Sequence, residues 1–305
     1  MYFPCSNFGP GSHAGAVKIR VGKINLSPLL GRDIDIAAVN DINIRSAQND
    51  SNSQNTRHNG GGEAGLAFGE GKVGFYASVD IGKGDLKREA EQQQQAFLYA
   101  GDQLKFSSGK DTTIAGAQMR GDEVIGRVGG DLKVASVADT GKVEGKEFDL
   151  SATVSVGVGA SVSGSVGYGQ TTGKTNWVQD QTRITAGNKV DIRTEHHTQL
   201  DGALIAAENG NLKLDTGTLG YSDIAGKDKE HGYYLNVGGS WSQTSGGKSE
   251  THGNLSGWEY EKDREQIVRA TVWRKRGQIY FSCSSFDPVV EKGSNSHAGQ
   301  VESRV

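Results

Sequence analysis

The chain has 305 residues but only 4 prolines, 2 cysteines and 2 methionines. Cys5 and Cys283 stand in the two end segments, so they build neither a disulfide framework nor a metal-type spacing. The two either bridge or stay free. No run approaches the ~20 apolar residues of a membrane helix. The opening MYFPCSNFGPGSHAG has neither the charged start nor the apolar stretch of a secretory leader. If the chain works outside a cell, its export signal is expected elsewhere, in a longer parent. Hydrophobic residues make up only 34% and mean hydropathy is -0.53, both low for an enzyme core. A net charge of -3 with pI ≈ 6.2 gives no global field for nucleic acid or an anionic membrane surface.

Glycine is abundant instead, with 45 residues. A Gly-rich, Pro-poor chain with alternating Val, Ile and Leu reads as short strands joined by tight turns. In FDLSATVSVGVGASVSGSVGYGQ, Phe148 to Gln170, apolar side chains take the even positions, and the odd positions hold only Asp, Ser, Thr and Gly. A Gly/Ser linker would show no such parity. Unbroken, the ribbon would exceed ~60 Å, so it is expected to fold back at Gly157, Gly159 or Gly164. EAGLAFGEGKVGFYASVDIG changes parity across Gly69–Lys72, as a hairpin does, and GYYLNVGGSWSQ alternates through Tyr233, Leu235, Val237, Gly239 and Trp241. Lys87 to Gly101 is helical by propensity. Its alignment with TNWVQDQTRITAG makes it the return strand of the first hairpin.

Between these ribbons the sequence repeats. GRDIDIAAV from Gly31 aligns with GGDLKVASV from Gly129, and AGDQLKFSSGKDTTIAGAQM from Ala100 aligns with AGNKVDIRTEHHTQLDGALI from Ala186. GNLKLDTG from Gly210 is a third related piece. Each unit alternates turns with short strands at steps of roughly ten residues. Such strands are unstable alone and become stable when stacked coils bury the inward side chains. The expected fold is all-β: a right-handed parallel β-helix decorated with extended hairpins near residues 60–98, 146–184 and 231–260.

GKDTTIAGAQMRGDEVIGRVGGDLKVASVADT resembles the haemagglutinin repeat of filamentous haemagglutinins and of the exoproteins that deliver contact-dependent growth-inhibition toxins. ITAGNKVDIRTEHHTQLDGALIAAENGNLKLDTGTLGYSDI is similar to the next unit of such an array, and REQIVRATV, Arg264 to Val272, to its closing motif. The resemblance covers residues 31–272. It implies two-partner (type V) secretion, with an outer-membrane transporter as partner of a secretion domain that this chain lacks. It also implies a cell-surface or outer-membrane receptor on another cell, and location outside a Gram-negative bacterium. The family's pretoxin motif and toxin are absent too, so the chain is expected to be a fragment of such a protein, or a small related reading frame, without toxicity of its own. Residues 1–30 and 273–305 depart from the family but resemble each other: YFPCSNF and SHAGAVKIRV recur as YFSCSSF and SHAGQVESRV. They are either a duplicated insertion or a paired cap, the latter joined through Cys5 and Cys283.

No residue set suggests catalysis, a cofactor or a metal. His13, His58, His196, His197, His231, His252 and His297 are scattered. His196 and His197 are adjacent on a strand and point to opposite faces, so they cannot chelate together. No nucleophile motif, nucleotide loop or carboxylate pair stands out. Arg120, Gly121 and Asp122 spell an adhesion tripeptide at a solenoid turn, where Gly-Asp suits the backbone anyway. Trp177, Tyr221, Tyr233, Tyr234, Trp241, Trp258 and Tyr260 crowd the later ribbons, either as a contact surface or as cover for the hairpins' own faces. WRKRG, from Trp273, reads as a solvated basic loop. The reading is a non-enzymatic extracellular segment for cell contact. The alternative is a hairpin element that enters a target outer membrane.

Overall fold

The computed structural model describes residues 17–20, 29–69, 72–157, 159–209, 211–244, 246–274 and 279–283. Cys5, His13, His297 and the end copies within 1–16 and 284–305 lie outside the described residues, and so does any Cys5–Cys283 bridge. The fold is a parallel β-solenoid bearing antiparallel hairpins. The coils contain β1 (Val17–Arg20), β2 (Leu29–Ala38) and β3 (Ile42–Arg45). Chain order continues through the first hairpin, β4 (Ala47–Gly69) and β5 (Lys72–Gln94), to coil strands β6 (Ala96–Ser108), β7 (Thr112–Ala115), β8 (Ala117–Val128) and β9 (Leu132–Ala135). The second hairpin is β10 (Asp139–Val156) and β11 (Gly159–Trp177), followed by β12 (Arg183–Asp201), β13 (Leu204–Ala207) and β14 (Asn211–Ser222). The third is β15 (Ile224–Thr244) and β16 (Ser249–Val268), and β17 (Thr271–Arg274) and β18 (Ile279–Cys283) close the chain. Each hairpin differs in extent from the stretch read in the sequence, most of all the first, which starts at Ala47. The turn of the second falls at Gly157, where φ is 114°.

Three walls of parallel pairing enclose the core. Leu98, Met119, Ile184 and Ile205 stack along the first wall, and Ile34, Leu104, Val124, Val190 and Leu212 along the second. Ile44, Ile114, Val134 and Leu200 stack along the third. All of these are buried. Burying one such side chain is worth about 1.5–3 kcal/mol, and stacking lets coils too short to fold alone share that gain. Gly126 stands in the row of Phe106, whose ring occupies the space a Cβ there would need. The sequences outside 31–272 also feed the rod: β1 pairs with β2, and β17 and β18 pair with β13 and β14.

One corner column decides whether a coil closes or sends out a hairpin. Extending the third-wall pairing by one residue brings Ser46, Gly116, Ser136, Gly202 and Asp223 into line. Gly116 and Gly202 have φ of 66° and 52° and turn the chain directly into the next coil. A left-handed conformation of this kind costs an ordinary residue roughly 1–2 kcal/mol. At Ser46, Ser136 and Asp223 the chain runs outward instead. Hairpins therefore leave from every second coil, at the same corner.

The three hairpins do not stand apart as separate flaps. They form one six-stranded antiparallel sheet in the order β16-β15-β11-β10-β5-β4. The physical reason is a match of periods. One coil advances the rod by one strand spacing, ~4.8 Å, and a hairpin is two strand spacings wide. Hairpins on alternate coils abut with no gap, giving a fin whose strands of 18 to 23 residues are roughly 60–75 Å long. The return stretch from Lys87 ends β5 and opens β6, with no helical turn.

Candidate functional site

The fin is the feature left uncovered, and its pairing register has no slip across all six strands. Rows can therefore be read straight across it. One runs Gly60–Ile81–Leu150–Val166–Val237–Leu255, and another Ala64–Ala77–Val154–Val162–Trp241–Thr251. The rows between them point to the other side, for example Glu63–Ser78–Thr153–Ser163–Ser240–His252. One face is thus a valine face and the opposite one a serine face. On the latter, Ser151 bonds Ser165 at 2.8 Å and Ser155 bonds Ser161 at 2.7 Å. Among the described residues no other element covers the valine face: Phe75 is 64% exposed, Leu255 71% and Val156 51%.

The apolar band ends at one level. On β10 it runs from Phe148 to Val156, a length of roughly 27 Å. Below it the same face carries the row Thr56–Asp85–Lys146–Gln170–Tyr233–Glu259. Ion pairs follow toward the rod: His231–Glu259 at 2.9 Å, Lys229–Asp263 at 2.7 Å, Lys142–Glu144 at 2.7 Å and Lys227–Glu265 at 3.0 Å. Tyr168 and Tyr233 lie at this boundary with ring centroids 6.3 Å apart.

Six of the seven aromatics singled out in the sequence lie in the fin and split between its faces. Tyr233 and Trp241 share the valine face, while Trp177, Tyr234, Trp258 and Tyr260 share the serine face. There Tyr234 stacks on Trp258 at 6.4 Å, and Trp258 on Tyr260 at 6.0 Å. Tyr234 lies across Gly167, where a Cβ would collide with its hydroxyl, and donates to Asp149 Oδ2 at 3.3 Å. Arg57 Nη2 donates to the other oxygen of that carboxylate at 2.8 Å. Part of the aromatic surface therefore covers glycine gaps in the fin itself, yet Trp258 remains 48% exposed. Tyr221 belongs to β14, outside the fin.

Nearer the rod on the serine face, Asp228 is buried. It accepts from Thr175 Oγ1 at 2.9 Å and lies 2.7 Å from Lys262 Nζ, with Arg264 Nη2 bonded to the same carboxylate. Burial pushes this carboxyl up, but the bonds from Lys262, Arg264 and Thr175 outweigh it and bring the pKa down to about 2. The cluster was missed in the sequence because its members come from three strands, and alternation in a single strand carries no sign of them.

Arg120, Gly121 and Asp122 stand on β8 at a corner of the coil, where the pairing with β12 shifts register. A Cβ at Gly121 would lie 2.7 Å from the Glu123 carbonyl, so the corner itself requires glycine. Arg120 Nη2 is 3.7 Å from Glu208 Oε1. His197 bonds Thr218 at 2.6 Å and Gln199 at 3.2 Å, while His196 is exposed. Among the described residues no group of three or more His, Cys, Asp or Glu could hold a metal, and no helix is long and apolar enough to cross a membrane.

Residues 14–150 and 144–222 match the family model described as Hemagglutinin repeat. The chain is 34% identical over 233 residues to Deoxyribonuclease CdiA of Yersinia pseudotuberculosis serotype O:3 (strain YPIII), covering 74% of this chain and 21% of that protein. It is 33% identical over 233 residues to Toxin CdiA of Yersinia pestis, covering 74% and 7%. Against tRNA nuclease CdiA of Escherichia coli (strain NC101) it is 33% identical over 225 residues, covering 69% and 7%. The chain thus spans a small part of these relatives, and the nuclease names are theirs. No solved structure matches.

Proposed function

The chain belongs to the hemagglutinin-repeat family, and from that membership and the two-faced fin we propose that it is a non-enzymatic, extracellular segment of an adhesin or contact-dependent toxin-delivery protein. The parent would leave a Gram-negative cell by two-partner secretion, through an outer-membrane transporter. The rod serves as a stiff spacer, and the fin makes contact with the surface of another cell. The fin's chemistry favours lipid of an outer membrane over a protein receptor. Membrane-spanning strands present about 9–11 residues, alternate apolar and polar, and carry an outward band ~25 Å tall edged by aromatics. The band from Phe148 to Val156, bounded by Tyr168 and Tyr233 and then by Lys146, fits that description.

Vesicle flotation tests this reading. The chain is expected to float with vesicles of outer-membrane lipid, and a chain lacking Phe148–Gln170 is expected to stay at the bottom. A full chain that stays down, or equal flotation of both, would sink the membrane contact. Loss of binding to intact cells in the deleted chain, with no flotation of either, would point to a protein or glycan receptor.

A further inference from the structure

The fin has two edges, and the sequence protects them unequally. β16 carries eight acidic, basic or histidine side chains in 20 residues, including Glu259, Glu261, Asp263 and Glu265 at alternate positions on one face. Charge of that density discourages another strand from pairing there. β4 has 23 residues, no proline, and only Asp50, Arg57, His58 and Glu63 as ionisable groups. The rest of its first half is mainly Asn, Gln and Ser, whose amides and hydroxyls pair well across strands. It ends the sheet order, with β5 as its one neighbour among the described residues, and residues 47–64 are exposed throughout.

We propose that β4 is a pairing edge for β4 of a second copy of this chain, antiparallel about Gly60, so that two fins become one continuous sheet. A two-fold axis through Gly60 sets Arg57 of each copy opposite Glu63 of the other, forming the same ion pair twice. Thr56 then faces Ala64, and Asn55 faces Gly65. His58 meets Gly62, and within the paired stretch from Ser51 to Gly69 no like charges meet. Residues of equal parity face each other, so valine face continues into valine face. The arrangement is closed and self-complementary, the commonest form of homodimer. It sends the two rods to opposite ends of the joined sheet, where they do not collide. A side chain at Gly60 or Gly61 would meet nothing within 4 Å in the single chain, so the axis has room.

The experiment is light scattering on size-exclusion fractions of the full chain over a concentration series. A discrete dimer is expected. E63R sets like charges against Arg57 and should raise the dimer dissociation constant roughly tenfold. R57E/E63R restores the pairing with its signs exchanged. Arg57 also holds Asp149 at 2.8 Å, so G60C provides a second test that leaves this bond intact. On oxidation it should give a disulfide-linked dimer with an unchanged far-ultraviolet spectrum. A monomer at every concentration overturns the proposal, as does a dimer indifferent to E63R with no crosslink from G60C. An open-ended polymer also overturns it, because it means β4 pairs with β16 of the next copy.

Discussion

Arg264 on β16 donates through Nε to Asp228 Oδ2 on β15 at 3.2 Å, and its guanidinium lies 4.8 Å above the ring of Trp177 on β11. One side chain thereby ties the third hairpin to the second near the root of the fin. Asp228 is the point on which both contacts depend.

Asp228→Asn is expected to destabilise the third hairpin by about 2 kcal/mol at neutral pH, the linkage value of a carboxyl held at about 2 instead of 3.8. Because the folded pKa is lowered, the contribution is complete above the unfolded value. It is lost as pH falls from about 4 toward about 2. Denaturant melts at pH 7, 4 and 2 should show the gap between parent and variant closing only over the last interval. A gap that is constant down to pH 2 would mean the carboxylate charge is not the cause.

Gly116→Ala is expected to cost about 1–3 kcal/mol. Its φ of 66° disfavours any side chain, and the new Cβ would sit 2.6 Å from the Ser46 Cβ and Oγ. Gly61→Ala, on an open extended strand with nothing within 4 Å, should leave the melting midpoint within error or raise it slightly. Equal effects at the two sites would remove the special role of the corner.

Ile114→Ala opens a hole in the third wall between Ile44 and Val134, and is expected to cost about 2–5 kcal/mol. Since coils are stable only when stacked, amide exchange should speed up in the coils on both sides as well as at the site.

Val154→Arg lies in the middle of the exposed band, and its effect on stability in water should stay within about 0.5 kcal/mol. Vesicle flotation should weaken by the equivalent of about 2–4 kcal/mol. Thr56→Arg, below the band, should leave flotation unchanged. The same loss from both would mean that surface charge, and not depth in the lipid, governs binding.

Much of the rod was legible because an inward side chain at every second position leaves a periodic trace, as in Leu104–Phe106 and Val190–Ile192. The second ribbon's length called for a turn at Gly157, Gly159 or Gly164, and it falls at the first of these. The roots of the hairpins were not legible, because residues 47–59 are polar apart from Ala47, chiefly Asn, Gln and Ser, with no alternation to follow. The joining of the hairpins was hidden more deeply. Val154 pairs with Ala77 across the gap between two hairpins, yet either strand alone would read the same with no neighbour there. That contact depends on how many coils separate the hairpins, and no short window of residues contains this count. The helical propensity of Lys87 to Gln94 loses for a related reason, since β4 and β10 flank that strand on both sides.

The corner glycines give the array a parity. Inserting or deleting two coils would shift the fin by a whole hairpin and leave it continuous. Removing a single coil would set two hairpins against the same level or leave a vacant slot between them. Evolution can therefore lengthen or shorten such a protein freely in even steps, while odd steps split its broad surface in two.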